Sequence, residues 1–359
     1  MPPMTNTPPS PEPSRDRESK SVERFTQEQL VFVISAPRSG STLLQRMLGS
    51  HSEVFTHPEP HMITPMAHLG LYGQVDRAPY DHINAAEAMR SFVEGLPRGE
   101  EDYLDALRAY SDTLYARMLA TSGRSRFLDK TPAYGLVLPF LTKLYPRARY
   151  VVLTRHPLAI FSSYANSFFD GDWRGAHDFN PIVERYVAAI GQQVRAPSVP
   201  LHHIRYEELV ADPEPQLAAI FEHLGLPHEP GAVVYGRGPG MKKGMGDPIG
   251  VAKHDRPVTH SIEKWATELA GDPVKLELAR RMIDGCLDED LEAWGWPRAK
   301  LWEPLEQAGA GAPPARVLNR YTLQRRVLLL LRKDVDRRWH GKLIRQLKYY
   351  CDVILRDRA

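Results

Sequence analysis

Leu30-Val31-Phe32-Val33-Ile34-Ser35-Ala36-Pro37-Arg38-Ser39-Gly40-Ser41-Thr42-Leu43-Leu44-Gln45-Arg46-Met47-Leu48-Gly49 decides the fold class. Leu30 to Ile34 is a short unbroken apolar run, the pattern of a strand buried on both faces in a parallel sheet. From Thr42 to Leu48 apolar residues recur at helical spacing, and Gly49 can end that helix. Strand, tight loop, helix opens a doubly wound α/β sheet. Such a loop aims backbone N–H groups and a helix dipole at one point, where anionic oxygens are stabilised. Gly40 allows close backbone approach, Ser41 and Thr42 add hydroxyl donors, and Arg38 adds a fixed cationic fork. The Walker pattern Gly-x-x-x-x-Gly-Lys-Ser/Thr is not met. Ser35 stands at its first glycine and Ser41 at its lysine, and the cation lies two residues before Gly40 instead. Taken alone, the stretch also fits a plain Ser/Gly turn between strand and helix.

Further strands lie downstream. Tyr150-Val151-Val152-Leu153 reads as a second buried strand, ending at Thr154-Arg155-His156-Pro157. Pro157 suits the first turn of a helix continued by Ile160, Phe161 and Tyr164. Leu201–Ile204 is a weaker strand. Asp212-Pro213 and Gly225 bracket a helix built on Leu217, Ile220, Phe221 and Leu224. Phe127-Leu128 is a short strand before Asp129-Lys130-Thr131-Pro132. Alternation of strands and helices predicts an α/β, three-layer fold with a central, mostly parallel sheet flanked by helices. Residues 75–122 read as helical and polar, an insertion or lid.

Composition sets the outer bounds. The 359 residues carry 42% hydrophobic and 25% charged side chains and a net charge of +2, so no global charge calls for nucleic acid. Cys286 and Cys351 have no metal-ligand spacing, which predicts neither a disulfide framework nor a metal site and points to a reducing cytoplasm. No run is long and apolar enough for a membrane span, and the N-terminus has no apolar signal core. Residues 1–24, rich in Pro, Ser and charge, are expected to be disordered. The main domain is expected over 25–305. From Arg316 to Ala359, thirteen Lys and Arg stand against four Asp, a charge of +9 that leaves −7 for the rest.

Arg155 lies at a strand's carboxyl end and Ser163 two helical turns on, so both face the rim where ligands of open α/β sheets sit. Pro37-Arg38-Ser39-Gly40-Ser41-Thr42-Leu43, Leu153-Thr154-Arg155-His156-Pro157 with Ser163, and Arg205-Tyr206-Glu207-Glu208-Leu209 occur in that order. In these motifs the chain resembles the PAPS-dependent sulfotransferases (PAPS, 3′-phosphoadenosine 5′-phosphosulfate) over about residues 28–300. Arginine at 38 is similar to the tyrosylprotein, carbohydrate and bacterial branches, since cytosolic members carry lysine there. The resemblance implies a P-loop-like fold and transfer of a sulfuryl group from PAPS to a hydroxyl, leaving 3′-phosphoadenosine 5′-phosphate (PAP), without a metal. It implies that the 35–42 loop, Pro37 to Thr42, holds the 5′-phosphosulfate, that Arg155 and Ser163 hold the 3′-phosphate, and that Tyr206 contacts the adenine. The Arg-Lys-Gly triplet of cytosolic members is absent; Lys253 or Arg256 stands nearest to that role.

In-line transfer calls for positioning, charge stabilisation and a base for the acceptor hydroxyl. Glu59, in His57-Pro58-Glu59-Pro60-His61, lies at a distance from Arg38 that resembles the catalytic glutamate of tyrosylprotein sulfotransferases. His254, ahead of Lys264-Trp265, resembles a histidine in the sulfotransferase domains of olefin-forming polyketide synthases. Free histidine titrates near 6.5 and free glutamate near 4.3, which suits the histidine, whereas motif position favours Glu59. Lys130 occupies a position where related enzymes reach the transferring oxygens. A surface lysine and two solvated loop residues are the bland alternatives. A non-catalytic nucleotide-binding regulator and a P-loop kinase also stay open; Arg38, Lys130 and two candidate bases speak against the first, and Ser41 in place of lysine against the second.

The acceptor is expected to be a hydroxylated small molecule or a carrier-bound chain, with its specificity in residues 60–125 and 165–195. In the basic extension 316–359, Leu328, Leu331, Val335 and Trp339 fall at helical spacing. It reads either as an amphipathic helix covering the body or the partner subunit of a homodimer, or as a dock for an anionic membrane surface or an acyl carrier protein.

Overall fold

The computed structural model describes residues 25–73, 82–235, 256–259 and 262–309. Lys253, His254 and the segments 1–24 and 316–359 lie outside the described residues, and with them the expectations made for them.

Five strands form one sheet in the order β2-β3-β1-β4-β5, and every neighbouring pair is parallel. They are β1 (Leu30–Ser35), β2 (Val54–Pro58), β3 (Arg126–Lys130), β4 (Arg149–Thr154) and β5 (Leu201–Arg205). The expected mostly parallel sheet is thus wholly parallel. β1 is buried along its length, as its apolar run requires. β2 escaped the sequence reading. It is an edge strand whose last residue is Pro58, a position where a missing N–H breaks no ladder on the open side.

The helices follow from capping and periodicity. They are α1 (Ser41–Gly49), α2 (Ile63–Ala67), α3 (His82–Glu94), α4 (Glu100–Ala120), α5 (Leu138–Leu144), α6 (Pro157–Phe168), α7 (Trp173–Phe179) and α8 (Ile182–Arg195), then α9 (Tyr206–Ala211), α10 (Pro213–Leu224), α11 (Lys264–Ala270), α12 (Pro273–Asp284) and α13 (Asp288–Ala293). α10 begins at Pro213 and ends on Gly225, whose φ of 67° closes the helix in the left-handed conformation.

Side chains alternate across each strand, so the sheet has two apolar faces. Val31, Val33, Leu128, Val151 and Leu153 pack on one side with Leu44 and Met47 of α1, Leu209 of α9 and Leu217 and Phe221 of α10. Leu30, Phe32, Ile34, Tyr150 and Val152 pack on the other, with α2, α4, α5, α6, α8 and α11 to α13. These are the three layers expected. α4 sets Leu104, Leu107, Tyr115 and Leu119 into this second core.

Candidate active site

β1 lies between β3 and β4, and the chain leaves β1 and β4 in opposite directions to reach β2 and β5. Ligands of open α/β sheets gather at such a reversal, beyond the strands' carboxyl ends. Here all five ends carry a candidate residue. β1 feeds the loop with Arg38, β2 leads to Glu59, β3 ends on Lys130, β4 is followed by Arg155, and β5 by Tyr206. The register aligns Ser35 with Leu153 and Pro58 with Lys130, so the five ends form one rim.

The loop backbone is bent tightly. Arg38 has φ 69° and Gly40 φ 90°, both in the left-handed region. For an arginine this conformation costs on the order of 1–2 kcal/mol, a strain that proteins keep at working sites. Glycine is required at 40, because a Cβ there would stand 2.4 Å from Cδ2 of Tyr206. Ser39 is buried and its hydroxyl has no hydrogen-bond partner among the described residues. Ser41 and Thr42, in the first turn of α1, have no intrahelical acceptor for their amides. Buried hydroxyl, open amides and a helix N-terminus make a cradle whose donors fit an anion.

Two side-chain groups flank it. On the β3 side, Lys130 is 1% exposed and forms an ion pair with Glu59 Oε1. Its Nζ also donates to Thr42 Oγ1 at 3.4 Å. The other carboxylate oxygen, Oε2, is 3.7 Å from His61 Nε2. Lys130 is therefore no surface lysine. A buried ammonium persists only when paired, and here its partners are the candidate base and the anion loop.

On the β4 side, Arg38 Nε donates to Ser163 Oγ at 3.1 Å, and Arg155 Nη1 donates to the Arg38 carbonyl at 3.2 Å. The Arg155 guanidinium lies over the Tyr206 ring, 4.4 Å from its centroid. Arg38, Arg155, Ser163 and Tyr206 are thus one contact network, although they span the chain from 38 to 206. Pro37 and the loop as far as Thr42 sit between the two groups. Arg256, the other candidate beside Lys253, accepts at its carbonyl from Tyr235 Oη at 3.0 Å.

Several residues to which the sequence reading assigned no role support the site. Trp294 Nε1 donates to the Arg155 carbonyl at 2.8 Å, and the His156 amide donates to Glu207 Oε1 at 3.0 Å. His156 is buried, stacks on Trp265 at 4.0 Å, and contacts the Leu301 carbonyl through Nε2 at 2.9 Å. Burial pushes its pKa down to about 3, so the ring is neutral. With Nδ1 accepting from the Leu158 amide, Nε2 carries the proton. Trp265 is buried in the core and stacks on this histidine. Asp129, next to Lys130, is completely buried and accepts from Tyr115 at 2.7 Å and from Thr131 and Tyr134 at 3.0 Å. Desolvation raises its carboxyl to about pKa 6 despite these three donors.

Among the described residues no helix is long and apolar enough to cross a membrane. Chemically, the site offers an anion cradle, a second cationic point at Arg155, and a carboxylate held beside an ammonium.

The model of the sulfotransferase family matches residues 30–230, more than half of the chain. Nodulation protein NoeE of Sinorhizobium fredii is 34% identical over 140 residues, which cover 39% of this chain and 32% of NoeE. Protein-tyrosine sulfotransferase A of Caenorhabditis elegans is 25% identical over 202 residues, covering 55% of this chain and 50% of that protein. The chain thus spans half or less of each of these curated relatives. The sulfotransferase domain from the curacin biosynthetic pathway superposes with a TM-score of 0.45 and 25% identity, over 66% of this chain and 89% of that one.

Proposed function

The chain belongs to the sulfotransferase family, and from that premise we propose that it transfers a sulfuryl group from PAPS to a hydroxyl of a small-molecule or carrier-bound acceptor, releasing PAP and a sulfate ester. The observation that carries this reading is the convergence of Arg38, Glu59, Lys130, Arg155 and Tyr206 on one rim, with Lys130 in contact with both Glu59 and Thr42.

In this reading the 37–42 loop takes the 5′-phosphosulfate through its open amides, the Ser39, Ser41 and Thr42 hydroxyls and Arg38. Arg155 and Ser163 take the 3′-phosphate, and Tyr206 abuts the adenine. Transfer is an in-line displacement. The acceptor oxygen bonds to sulfur, the bond from sulfur to the 5′-phosphate oxygen breaks, and its electron pair leaves on PAP. The hydroxyl proton goes to the Glu59 carboxylate. Lys130 and Arg38 stabilise the charge that grows on the transferring and leaving oxygens. The Lys130 contact favours Glu59 as base, and His254 is the alternative that mutation tests. PAPS is also the donor expected in a cytoplasmic setting. The basic extension 316–359 is proposed to cover the body or a partner copy, or to meet an acidic carrier or membrane surface.

Thermal unfolding tests the donor. PAP at a hundred times its Kd is expected to stabilise the chain by about 2.7 kcal/mol, and ATP with magnesium is expected to do less. A preference for ATP with magnesium would point to a P-loop kinase. PAP stabilisation without PAP release from PAPS, in a broad acceptor screen, would point to a nucleotide-binding regulator.

A further inference from the structure

The last turn of α6 carries an array of aromatic rings that starts at Arg38. The Phe168 ring lies 5.9 Å from the Arg38 guanidinium carbon and is 42% exposed. Behind it, Tyr164 stands 5.7 Å from Phe168 and 5.2 Å from Phe169, and Phe169 stands 5.6 Å from Phe179. Tyr164 and Phe169 are buried and fix the array to the core.

Polar bonds of neighbouring residues fix the helix that carries the array. Glu268 of α11 accepts from Ser162 at 2.6 Å, Asn166 at 3.0 Å, Trp173 at 3.1 Å and Lys275 at 2.6 Å. This one carboxylate ties together α6, α7 and α12. The turn after Phe168 is equally fixed: the Phe169 amide donates to the Ala165 carbonyl at 2.9 Å, and the Gly171 amide to the same oxygen at 3.1 Å. Scattered exposed apolar side chains are common and need no explanation. Phe168 differs because its ring borders the guanidinium of Arg38, a residue of the donor loop, and because its backing is preorganised.

We propose that Phe168 is an acceptor-binding residue: it forms the apolar wall against which the non-reacting body of the acceptor lies. The acceptor class is then a hydroxyl borne on an aromatic ring or hydrocarbon body, in preference to a polyhydroxylated sugar. This deepens the sulfuryl-transfer reading and rests on it. An apolar body covering Phe168 removes water from both surfaces and from the neighbourhood of Arg38, which strengthens the electrostatic contacts there. A sugar laid on the same wall would strip water from hydroxyls that the ring cannot replace as hydrogen-bond partners.

The experiment uses the full chain, PAPS, and two acceptors, 2-naphthol and methyl glucoside, with PAP release as readout. Naphthol is expected to be sulfated with at least tenfold higher kcat/KM. Phe168→Ala should raise the naphthol KM about tenfold or more while the PAP Kd stays within twofold, and Phe168→Leu should recover most of the loss. Because Phe168 is half-exposed, the variant's unfolding temperature should stay close to that of the parent. A higher kcat/KM for methyl glucoside overturns the proposal, and so does a Phe168→Ala variant that keeps the parent's naphthol KM, even where PAP binding and turnover are intact. Failure of the parent chain to bind PAP would instead overturn the sulfuryl-transfer reading, and this inference with it.

Discussion

Lys130 shows how much one residue's meaning depends on its surroundings. In sequence it is one lysine after a short strand; in the fold it is buried, paired with Glu59 and bonded to Thr42. Arg155 sits in a different setting, over the Tyr206 ring and against the Arg38 backbone. The two cations should therefore fail differently. Lys130→Met, which keeps the apolar stem, is expected to lower kcat by about 100-fold or more with PAP affinity nearly intact, the scale of losing one transition-state donor. Arg155→Ala should weaken PAP by about 10- to 100-fold, as loss of charge-assisted bonds implies, with a smaller effect on kcat. Steady-state kinetics and PAP calorimetry on both variants decide this, and equal affinity losses would refute the division of roles. Glu59→Gln and His254→Asn in the same assay identify the base. The responsible one should cost about 100-fold or more in kcat, and two silent variants would leave neither assignment standing.

At the scale of the element, β3 does two jobs with adjacent residues. Its alternation sends Lys130 and Asp129 to opposite sides. Asp129 anchors the strand end through Tyr115 of α4, Thr131 and Tyr134. Its burial has a consequence for stability. A carboxyl whose folded pKa is raised from 3.8 to about 6 binds its proton more tightly in the folded chain. Its contribution is fully present below the unfolded value and is lost as pH rises through the folded one. Stability from this group should thus fall between about pH 4 and pH 6, by on the order of 3 kcal/mol at full shift. Urea unfolding of the parent and Asp129→Asn across that window should show the parent's dependence flattened in the variant. Parallel curves would show that another group titrates. Of the five strands, β1, β4 and β5 were legible from apolar runs, and β3 from its Phe127-Leu128 core. β2 was not, because an edge strand needs only Val54 fully inward and tolerates Pro58.

At the scale of the whole molecule, sheet order decides what meets. Residues 38, 59, 130, 155 and 206 converge because β1 lies centrally and the chain visits both sides of it. The five residues of this rim all lie between positions 38 and 206. Removing the extension 316–359 is accordingly expected to leave PAP affinity within about twofold, since ligand contacts that do not change leave the linkage unchanged. A collapse of affinity in a truncated chain that still unfolds cooperatively would show that the extension shapes the donor site. The sequence by itself determined the α/β class, the tight loop between β1 and α1 and the place of Arg155 at a strand's carboxyl end, because these rest on local signals: an apolar run, a glycine between strand and helix, a proline at a helix start. Only the tertiary structure decided that Lys130 pairs with Glu59, that Ser163 meets Arg38, that Trp294 and Glu207 hold the Arg155 corner, and that Phe168 borders the Arg38 guanidinium. Those are contacts between residues far apart in the chain, and the register of a parallel sheet, which brings its strand ends level, is set by packing across the whole domain.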